Sequence, residues 1–321
     1  ARQTIYQQVK STIAAVQKVA QPTVGFADYY VSTRQFIMTL MQEGQHPIYL
    51  ELMSNRLGSD AVGHATAVAH LSLVLGIRLE RYLIDERSRL SAQHAREVVN
   101  LGVGGMLHDL GKAKLPDELQ GLGCLDAPKD EAALKQWQTH TDLGYKMIRG
   151  GVESSAAIAV LQHHQHYDGS GFPIGRNKDG TERRLSGSMI HVFSRIVHAA
   201  DLYDRLSIRP KGKGRRPTVE ILHLMRAHFE GWVDPHVLKA LPAVIPPFPP
   251  GGKVKLNDGT LAVVTKVLGN DPYHPVVQRL AEDKWTLVGE PIDLSQNDTP
   301  QIESIGGVCV KGMMPESPAK V

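Results

Sequence analysis

The sequence contains histidine and aspartate side chains whose spacing suits a metal centre. His108 and Asp109 are adjacent at the predicted end of an apolar helix, and Gly111 follows where a helix commonly stops. An imidazole supplies a neutral nitrogen to a cation, and a carboxylate can bridge two cations. On its own, the pair is also explained by a hydrogen bond at the helix end.

Further candidates lie on separate predicted helices, and a helical bundle can direct such groups to one point. Five unrelated helices rarely all carry buried histidines for packing reasons alone. The sequence therefore predicts two or three divalent ions. The candidate ligands are Asp60, His64, His108, Asp109, His140, His163, His164 and Asp201.

Asp60 decides the predicted number of ions. It precedes His64 by four positions, so both side chains project from one helix face and can meet at a third ion. The alternative is an acid in the first turn, favoured by the helix dipole.

Two ions that share one carboxylate suit the hydrolysis of a phosphodiester. They neutralise its oxygens and deliver a hydroxide in line with the leaving group. Asp109 is the predicted bridging and catalytic residue. Cys124 and Cys309 are distant from each other and form no paired motif, which excludes a thiolate zinc site and a disulfide scaffold. Imidazole and carboxylate ligands suit iron, manganese or zinc better than magnesium or calcium.

Basic residues near these ligands are candidates for binding the substrate phosphate. Lys112 follows the His-Asp pair by three positions, and the alternative is a cation at a helix C-terminus. A run of cations follows Asp201, and its alternative is a solvated loop. The loop after the paired histidines is glycine-rich and lets backbone approach a ligand closely. The predicted substrate-binding residues are Lys112, Asp168, Gly171, Arg209, Lys211 and Lys213.

Helical periodicity extends over most of the first 240 residues. The predicted helices cover about 4–19, 28–43, 59–83, 92–110, 131–149, 153–166, 187–207 and 217–230. Residues 241–252 contain five prolines and are predicted to be a stiff linker with no helix. An Asp258-Gly259 turn between apolar runs predicts a hairpin, and 276–280 with 286–288 predict a second strand pair. Together they predict a small β unit, with a miniature barrel as one form of it.

Composition places the chain among ordinary globular proteins. It has 321 residues, 36 Lys and Arg, 33 Asp and Glu, and a net charge of +3. This small charge does not indicate a nucleic-acid polymer as partner. No apolar run is long enough to span a bilayer and no signal segment opens the chain, so we expect a cytoplasmic protein without a membrane partner.

The order of these motifs resembles the HD-GYP family, a branch of the HD-domain phosphohydrolases. The resemblance covers about residues 60–240 and rests on His64, HDLGK at 108–112, His140, HHQHYDGSGFP at 163–173 and ADLYDRL at 200–206. It implies cleavage of cyclic di-GMP to pGpG and onward to GMP, with iron or manganese as the ions. It also implies phosphate-binding roles for Lys112 and Arg209, and it permits diguanylate cyclases as partners.

Three positions and one interval depart from the family pattern. Phe172 replaces the tyrosine of the Gly-Tyr-Pro triplet, Gln165 replaces a glutamate, and Asp60 replaces a glutamate that accompanies a trinuclear centre. The interval between His64 and His108 is long for the family.

The predicted fold is mainly α, with an all-helical HD-type domain and a small C-terminal β unit. The predicted segments are an N-terminal helical segment at 1–55, the catalytic domain at 56–240, the linker at 241–252, the β unit at 253–310 and a disordered tail at 311–321. Two other functions stay open: a cyclic di-GMP receptor without hydrolysis, and a module that binds cyclases. An HD enzyme for another nucleotide is less favoured because of the DGSG-Phe-Pro motif. A homodimer is left open.

Overall fold

The computed structural model describes residues 38, 61–209 and 214–315. These residues divide into two compact units. The first contains the described residues up to Arg205 together with Glu230–Leu238, and the second contains Leu206–Phe229 together with the described residues from Lys239 onward.

The first unit is built from α-helices. Their bounds are α1 Ala61–Arg78, α2 Glu80–Glu86, α3 Ala92–Ala95, α4 Val99–Leu107, α5 Asp117–Gln120, α6 Glu131–Gln138, α7 His140–Ile148, α8 Ser154–Gln162 and α9 Val192–Ser207, whose last two residues belong to the second unit. Two short 3₁₀ helices cover Leu110–Lys114 and Gly187–Met189. A short hairpin lies where no strand is predicted. Its strands, β1 Gly175–Arg176 and β2 Glu182–Arg183, have two residues each.

Helix α4 is the central helix of this unit, and it packs against α1 and α8. Its glycines permit the close approach. A Cβ at Gly105 would lie 3.0 Å from the Ala69 Cα of α1, and a Cβ at Gly104 would lie 2.7 Å from the Ala159 Cβ of α8. The buried end of α4 leads directly into His108. The fold thus fixes the His-Asp pair between two neighbouring helices.

Three predicted helices are each divided into two α-helices in the structure. The predicted helix 59–83 is α1 and α2, separated at Leu79. The predicted helix 92–110 is α3 and α4, separated at residues 96–98. The predicted helix 131–149 is α6 and α7, separated at Thr139, whose N–H and hydroxyl both donate to the Gln136 carbonyl. A hydrogen bond to the carbonyl group three residues earlier tightens the last turn of a helix. Hydrophobic periodicity continues across such a break, so the sequence pattern does not reveal it.

The second unit combines helices with a sheet. Its elements include α10 Thr218–His228 and the C-terminal part of α11 Pro235–Val244, followed by β3 Lys253–Leu256, β4 Leu261–Lys266, β5 Val276–Leu280, β6 Leu287–Asp293, β7 Ile302–Ile305 and β8 Val308–Cys309. The strands form an antiparallel sheet in the order β6-β5-β4-β3-β7-β8. Both predicted strand pairs are confirmed. The sheet is open rather than a closed barrel, and its size means that "mainly α" describes only part of the chain.

The prediction that residues 241–252 contain no helix is wrong at their start. Helix α11 continues to Val244 and contains Pro242. Val237, Leu241 and Val244 are buried at helical spacing, and this burial outweighs the hydrogen bond that the proline removes. Phe248 is fully buried in one cluster with Val219 of α10 and Val254 of β3. This part of the chain is therefore packed core rather than linker.

The predicted disordered tail is also wrong over its first residues. Met313 and Met314 pack against the same apolar cluster, and the Met313 carbonyl accepts a hydrogen bond of 2.7 Å from Arg226. Residues 316–321 and the predicted N-terminal segment 1–55, apart from Met38, lie outside the described residues. The predicted domain boundaries remain predictions. Within the described part of the chain, no helix has the length and apolar character of a membrane span.

We expect Phe248→Ala to destabilise the second unit by about 3–5 kcal/mol, because it removes a fully buried aromatic ring and leaves a cavity. Denaturant unfolding measures the change. Leu287→Ala is the control, since that side chain is 48% exposed and its loss should change the free energy of unfolding by less than about 0.5 kcal/mol. Equal effects of the two substitutions would show that residue 248 lies in a linker.

Candidate metal centre

The helices of the first unit bring seven of the eight candidate ligands into one cluster, and Asp60 lies outside the described residues. Each ligand comes from a helix or a helix end. His64 lies on α1, His108 and Asp109 follow α4, His140 begins α7, His163 and His164 follow α8, and Asp201 lies on α9.

The ligand atoms form two groups that share Asp109. The first group is Asp109, His140, His163 and His164, the second is His64, His108 and Asp109, and within each group the ligand atoms lie within 4.8 Å of one another. Asp109 Oδ1 is 3.6 Å from His140 Nε2 and 3.7 Å from His163 Nε2. Asp109 Oδ2 is 3.4 Å from His108 Nε2 and 3.8 Å from His64 Nε2. One carboxylate thus presents one oxygen to each group.

Three of the histidine rings are oriented by carbonyl groups near the end of the helix that precedes each of them. The Nδ1 atoms of His108, His140 and His163 lie 2.7–2.8 Å from the carbonyl oxygens three residues earlier, at Gly105, Trp137 and Val160. A carbonyl only accepts, so each Nδ1 carries the proton and donates. The Nε2 lone pair is then directed into the cluster. This arrangement fixes the tautomer that a metal ligand needs.

His64 is oriented by a different partner. Its Nδ1 lies 2.7 Å from Asp204 Oδ2 and its Nε2 lies 3.1 Å from Asp201 Oδ1. The sequence analysis missed Asp204. The available signal was its position three residues after Asp201, which places both carboxylates on one face of α9.

Three polar atoms of the first group have no hydrogen-bond partner among the described residues. They are Asp109 Oδ1 and both ring nitrogens of His164, and the His164 ring is almost fully buried. Buried polar atoms are nearly always paired, so unpaired ones call for an explanation such as a bound ion. The donor set of imidazole nitrogens and one carboxylate oxygen suits a divalent transition metal. The residues present therefore fit a metal ion at this position.

Electrostatics in the cluster shift the pKa values of His140 and His64 in opposite directions. Burial alone raises the pKa of Asp109, but the charge of the nearby Lys112 ammonium outweighs it and holds the pKa well below its usual value. Burial lowers the pKa of His140 to about 3. Burial also lowers the pKa of His64, but its hydrogen bonds to Asp201 and Asp204 raise it to about 9. At His140, a neutral imidazole thus faces an ionised carboxylate, as metal binding requires.

Two cations contact the carboxylates of the cluster. Lys112 is buried, and its Nζ donates to Asp109 Oδ2 at 2.6 Å and to the Leu122 carbonyl at 2.7 Å. Arg205 donates from Nη2 to Asp109 Oδ2 at 3.0 Å and from Nε to Asp201 Oδ1 at 3.3 Å. The sequence analysis counted Arg205 only as part of a basic run. Its spacing of four residues from Asp201 on one helix was the available signal.

The remaining predicted substrate residues lie in different environments. Gly171 is buried, and a Cβ there would lie 2.3 Å from the His164 carbonyl oxygen, so this glycine permits the loop to fold against the ligand helix. Asp168 is exposed, and its Oδ1 accepts the Ser170 N–H in a turn. Arg209 belongs to the second unit and pairs with Glu220 at 2.5 Å. Lys211 and Lys213 lie outside the described residues.

Two of the departures from the HD-GYP pattern have structural consequences. The Phe172 ring stacks on His164 with centroids 4.7 Å apart, so the aromatic face is retained without a hydroxyl. The Gln165 amide donates to the Pro173 carbonyl at 2.6 Å. A glutamate carboxylate cannot donate in this way. Gln165 therefore closes the loop that carries Phe172.

Comparison with known proteins finds a family match over the part of the chain that carries most of these ligands. Residues 78–237 match the HD domain family. The chain is 29% identical over 258 residues to the cyclic di-GMP phosphodiesterase PA4108 of Pseudomonas aeruginosa, a match covering 78% of this chain and 56% of that protein. It is 34% identical over 133 residues to the cyclic di-GMP phosphodiesterase response regulator RpfG of Xanthomonas campestris pv. campestris, covering 40% of this chain and 31% of that protein.

The chain thus spans about half of the first relative and about a third of the second. Among solved structures, an HDG"Y"P protein of Bdellovibrio bacteriovorus, Bd1817, aligns over 76% of this chain and 80% of its own, at 14% identity and a TM-score of 0.41. The match identifies an HD domain at residues 78–237 of this chain, and that domain contains the motifs from His108-Asp109 to Asp201 that resemble the HD-GYP branch.

Proposed function

We propose that this chain is a metal-dependent phosphodiesterase that hydrolyses cyclic di-GMP to pGpG and then to GMP, with iron or manganese as its ions. The observation that supports the proposal most is the position of Asp109, whose two oxygens face two separate groups of imidazole nitrogens. A bridged pair of cations is the arrangement that phosphodiester hydrolysis uses. The named activities of the relatives agree with this reaction.

In this proposal the ligands divide between the two oxygens of Asp109. His140, His163 and His164 would hold one ion together with Oδ1, and His64, His108 and Asp201 would hold another together with Oδ2. The bound ions would supply positive charge to the phosphodiester and activate a water molecule. Asp60, which precedes His64 by one helical turn, remains the candidate ligand for a third ion.

The protein's own residues orient the substrate around these ions. Lys112 lies at the edge of the cluster, where its ammonium can turn from Asp109 to a phosphate oxygen. The Phe172 ring is partly exposed beside His164 and offers a face for a guanine base. Arg209, Lys211, Lys213, Asp168 and Gly171 remain candidate substrate residues.

The chemistry of the donor atoms limits which metal ions fit the site. Among the described residues the two groups contain imidazole and carboxylate and no thiolate. Cys124 is half-buried, and its desolvation raises the pKa of the thiol, so it stays neutral. Iron and manganese are favoured over zinc by the family, and magnesium prefers oxygen ligands.

The experiment is anaerobic purification, elemental analysis and a turnover assay with cyclic di-GMP in the presence of Mn²⁺ or Fe²⁺. We expect at least two ions for each chain and release of pGpG, followed by GMP, detected by chromatography. Cyclic di-AMP is the control substrate for base specificity. Binding of cyclic di-GMP without turnover in either metal would instead support the receptor alternative. Metal-independent capture of a diguanylate cyclase would support the alternative of an interaction module.

A further inference from the structure

Arg205 occupies the space between the two carboxylates of the candidate metal centre. It lies on α9, one turn after Asp201, and its guanidinium spans Asp109 Oδ2 at 3.0 Å and Asp201 Oδ1 at 3.3 Å. The side chain is 20% exposed. Both carboxylate oxygens also face His64 Nε2, at 3.8 Å from Asp109 and 3.1 Å from Asp201. The guanidinium therefore contacts the oxygens that an ion beside His64 would need.

The two sides of Asp109 differ in how many protein cations contact them. Oδ2 accepts from Arg205 and also from Lys112 at 2.6 Å. Oδ1 has no hydrogen-bond partner in the described part of the chain, although His140 and His163 lie within 3.7 Å. An ion that approaches Oδ1 displaces no protein cation. An ion that approaches Oδ2 must displace two protein cations or share their contacts with the carboxylate.

The loop after α5 holds both protein cations in place. The Leu122 carbonyl accepts from Lys112 at 2.7 Å. Gly123 packs against Arg205 so closely that a Cβ would lie 2.8 Å from Nε and 2.9 Å from Cζ. The position of the guanidinium is therefore set by packing as well as by its ion pairs.

We infer that Arg205 is an internal competitor for the divalent ion on the His64 side of Asp109, and that it makes the two ion sites unequal. This inference rests on the proposed metal centre. The ion at Oδ1, held with His140, His163 and His164, binds tightly and fills first. The ion at Oδ2 binds weakly, because it must replace charge-assisted hydrogen bonds from Arg205. Occupancy of the second site, and with it hydrolysis, then depends on the supply of divalent metal.

The test is titration of the chelator-treated full chain with Mn²⁺, with free ion measured by electron paramagnetic resonance. We expect one tight and one weak ion in the wild type. Arg205→Met keeps the aliphatic stem and removes the charge. It should lower the dissociation constant of the weakly bound ion about 10-fold or more and leave that of the tightly bound ion unchanged. Arg205→Lys keeps the charge and should change the affinity for the weakly bound ion less. Lys135→Met is the control, an exposed cation paired with Glu131 on α6.

Gly123→Ala tests the same inference without removing the charge. Its new Cβ would overlap the guanidinium and displace it from the position in which it contacts both carboxylates, so it should also tighten binding of the weakly held ion. An Arg205 that merely supports the fold would give the opposite sign, with weaker metal binding in both variants. Weaker or unchanged binding of the second ion overturns the inference and leaves the proposed phosphodiesterase intact. A wild type that binds no Mn²⁺ overturns both.

Discussion

Asp109→Ala is expected to abolish metal binding at one site at least and to lower turnover of cyclic di-GMP by about 1000-fold or more. The carboxylate is the one group that both ligand groups share, and its two oxygens face different sets of imidazoles. Without it, two cations would sit close together with no anion between them, and their mutual repulsion would expel one. Loss of a single stabilising group at a reaction centre typically costs 10²–10³ in rate, and here the ions are lost as well. Elemental analysis and the turnover assay measure the two effects.

Two further variants make this result specific. Asp109→Asn keeps the shape of the side chain and one carbonyl oxygen but removes the charge, so it should also lose metal. Asp85→Ala removes an exposed acid on α2 and should retain both metal and activity. A full complement of ions in Asp109→Ala would show that the carboxylate does not bridge.

Gly111→Ala is expected to destabilise the first unit by about 3 kcal/mol and to release metal. Gly111 lies in the 3₁₀ helix directly after the His-Asp pair, where it packs against α7. A Cβ there would lie 1.9 Å from the His140 carbonyl oxygen and 2.5 Å from the Gly144 nitrogen. Both neighbours are backbone atoms, so no rotamer change relieves the overlap. The helix carrying His140 must move away from Asp109.

Gly121→Ala is the matched control for this substitution. Gly121 follows α5 with φ −78°, and a Cβ there meets nothing within 4 Å. Its replacement should leave metal content unchanged and alter stability by less than about 1 kcal/mol. Thermal unfolding and elemental analysis of both variants decide the matter. A stable, metal-replete Gly111→Ala protein would contradict the close packing of the 3₁₀ helix on α7.

The candidate ligands were predictable because their signal is local. His108 and Asp109 end an apolar helix, and His163-His164 end another, so residue type and helical periodicity were enough to single them out. The hairpin around Asp258-Gly259 was predictable for the same reason, since a two-residue turn sets its own register. The breaks at residues 96–98 and Thr139 were missed, because apolar spacing continues through them.

The surroundings of the ligands were not predictable in the same way. His64 meets Asp204 across 140 positions of sequence, and Arg205 meets Asp109 across 96. No local pattern encodes which segments meet at such separations. The basic run after Asp201 looked uniform in sequence, yet Arg205 contacts the candidate centre while Arg209 pairs with Glu220 in the second unit. Phe248 likewise looked like part of a proline-rich linker until its burial was known.

The sequence by itself determined the ligand types, the helices that present them and the HD-GYP resemblance, because all three depend on spacings of a few residues. Only the tertiary structure decided that Asp109 presents one oxygen to each group of histidines. It also decided that His164 and Asp109 Oδ1 lack hydrogen-bond partners among the described residues, and that Arg205 and Lys112 contact Oδ2 of Asp109 rather than Oδ1. These properties depend on the approach of α1, α4, α7, α8 and α9. That approach is set by long-range packing, including the glycines of α4 and Gly111, rather than by the periodicity of any one helix.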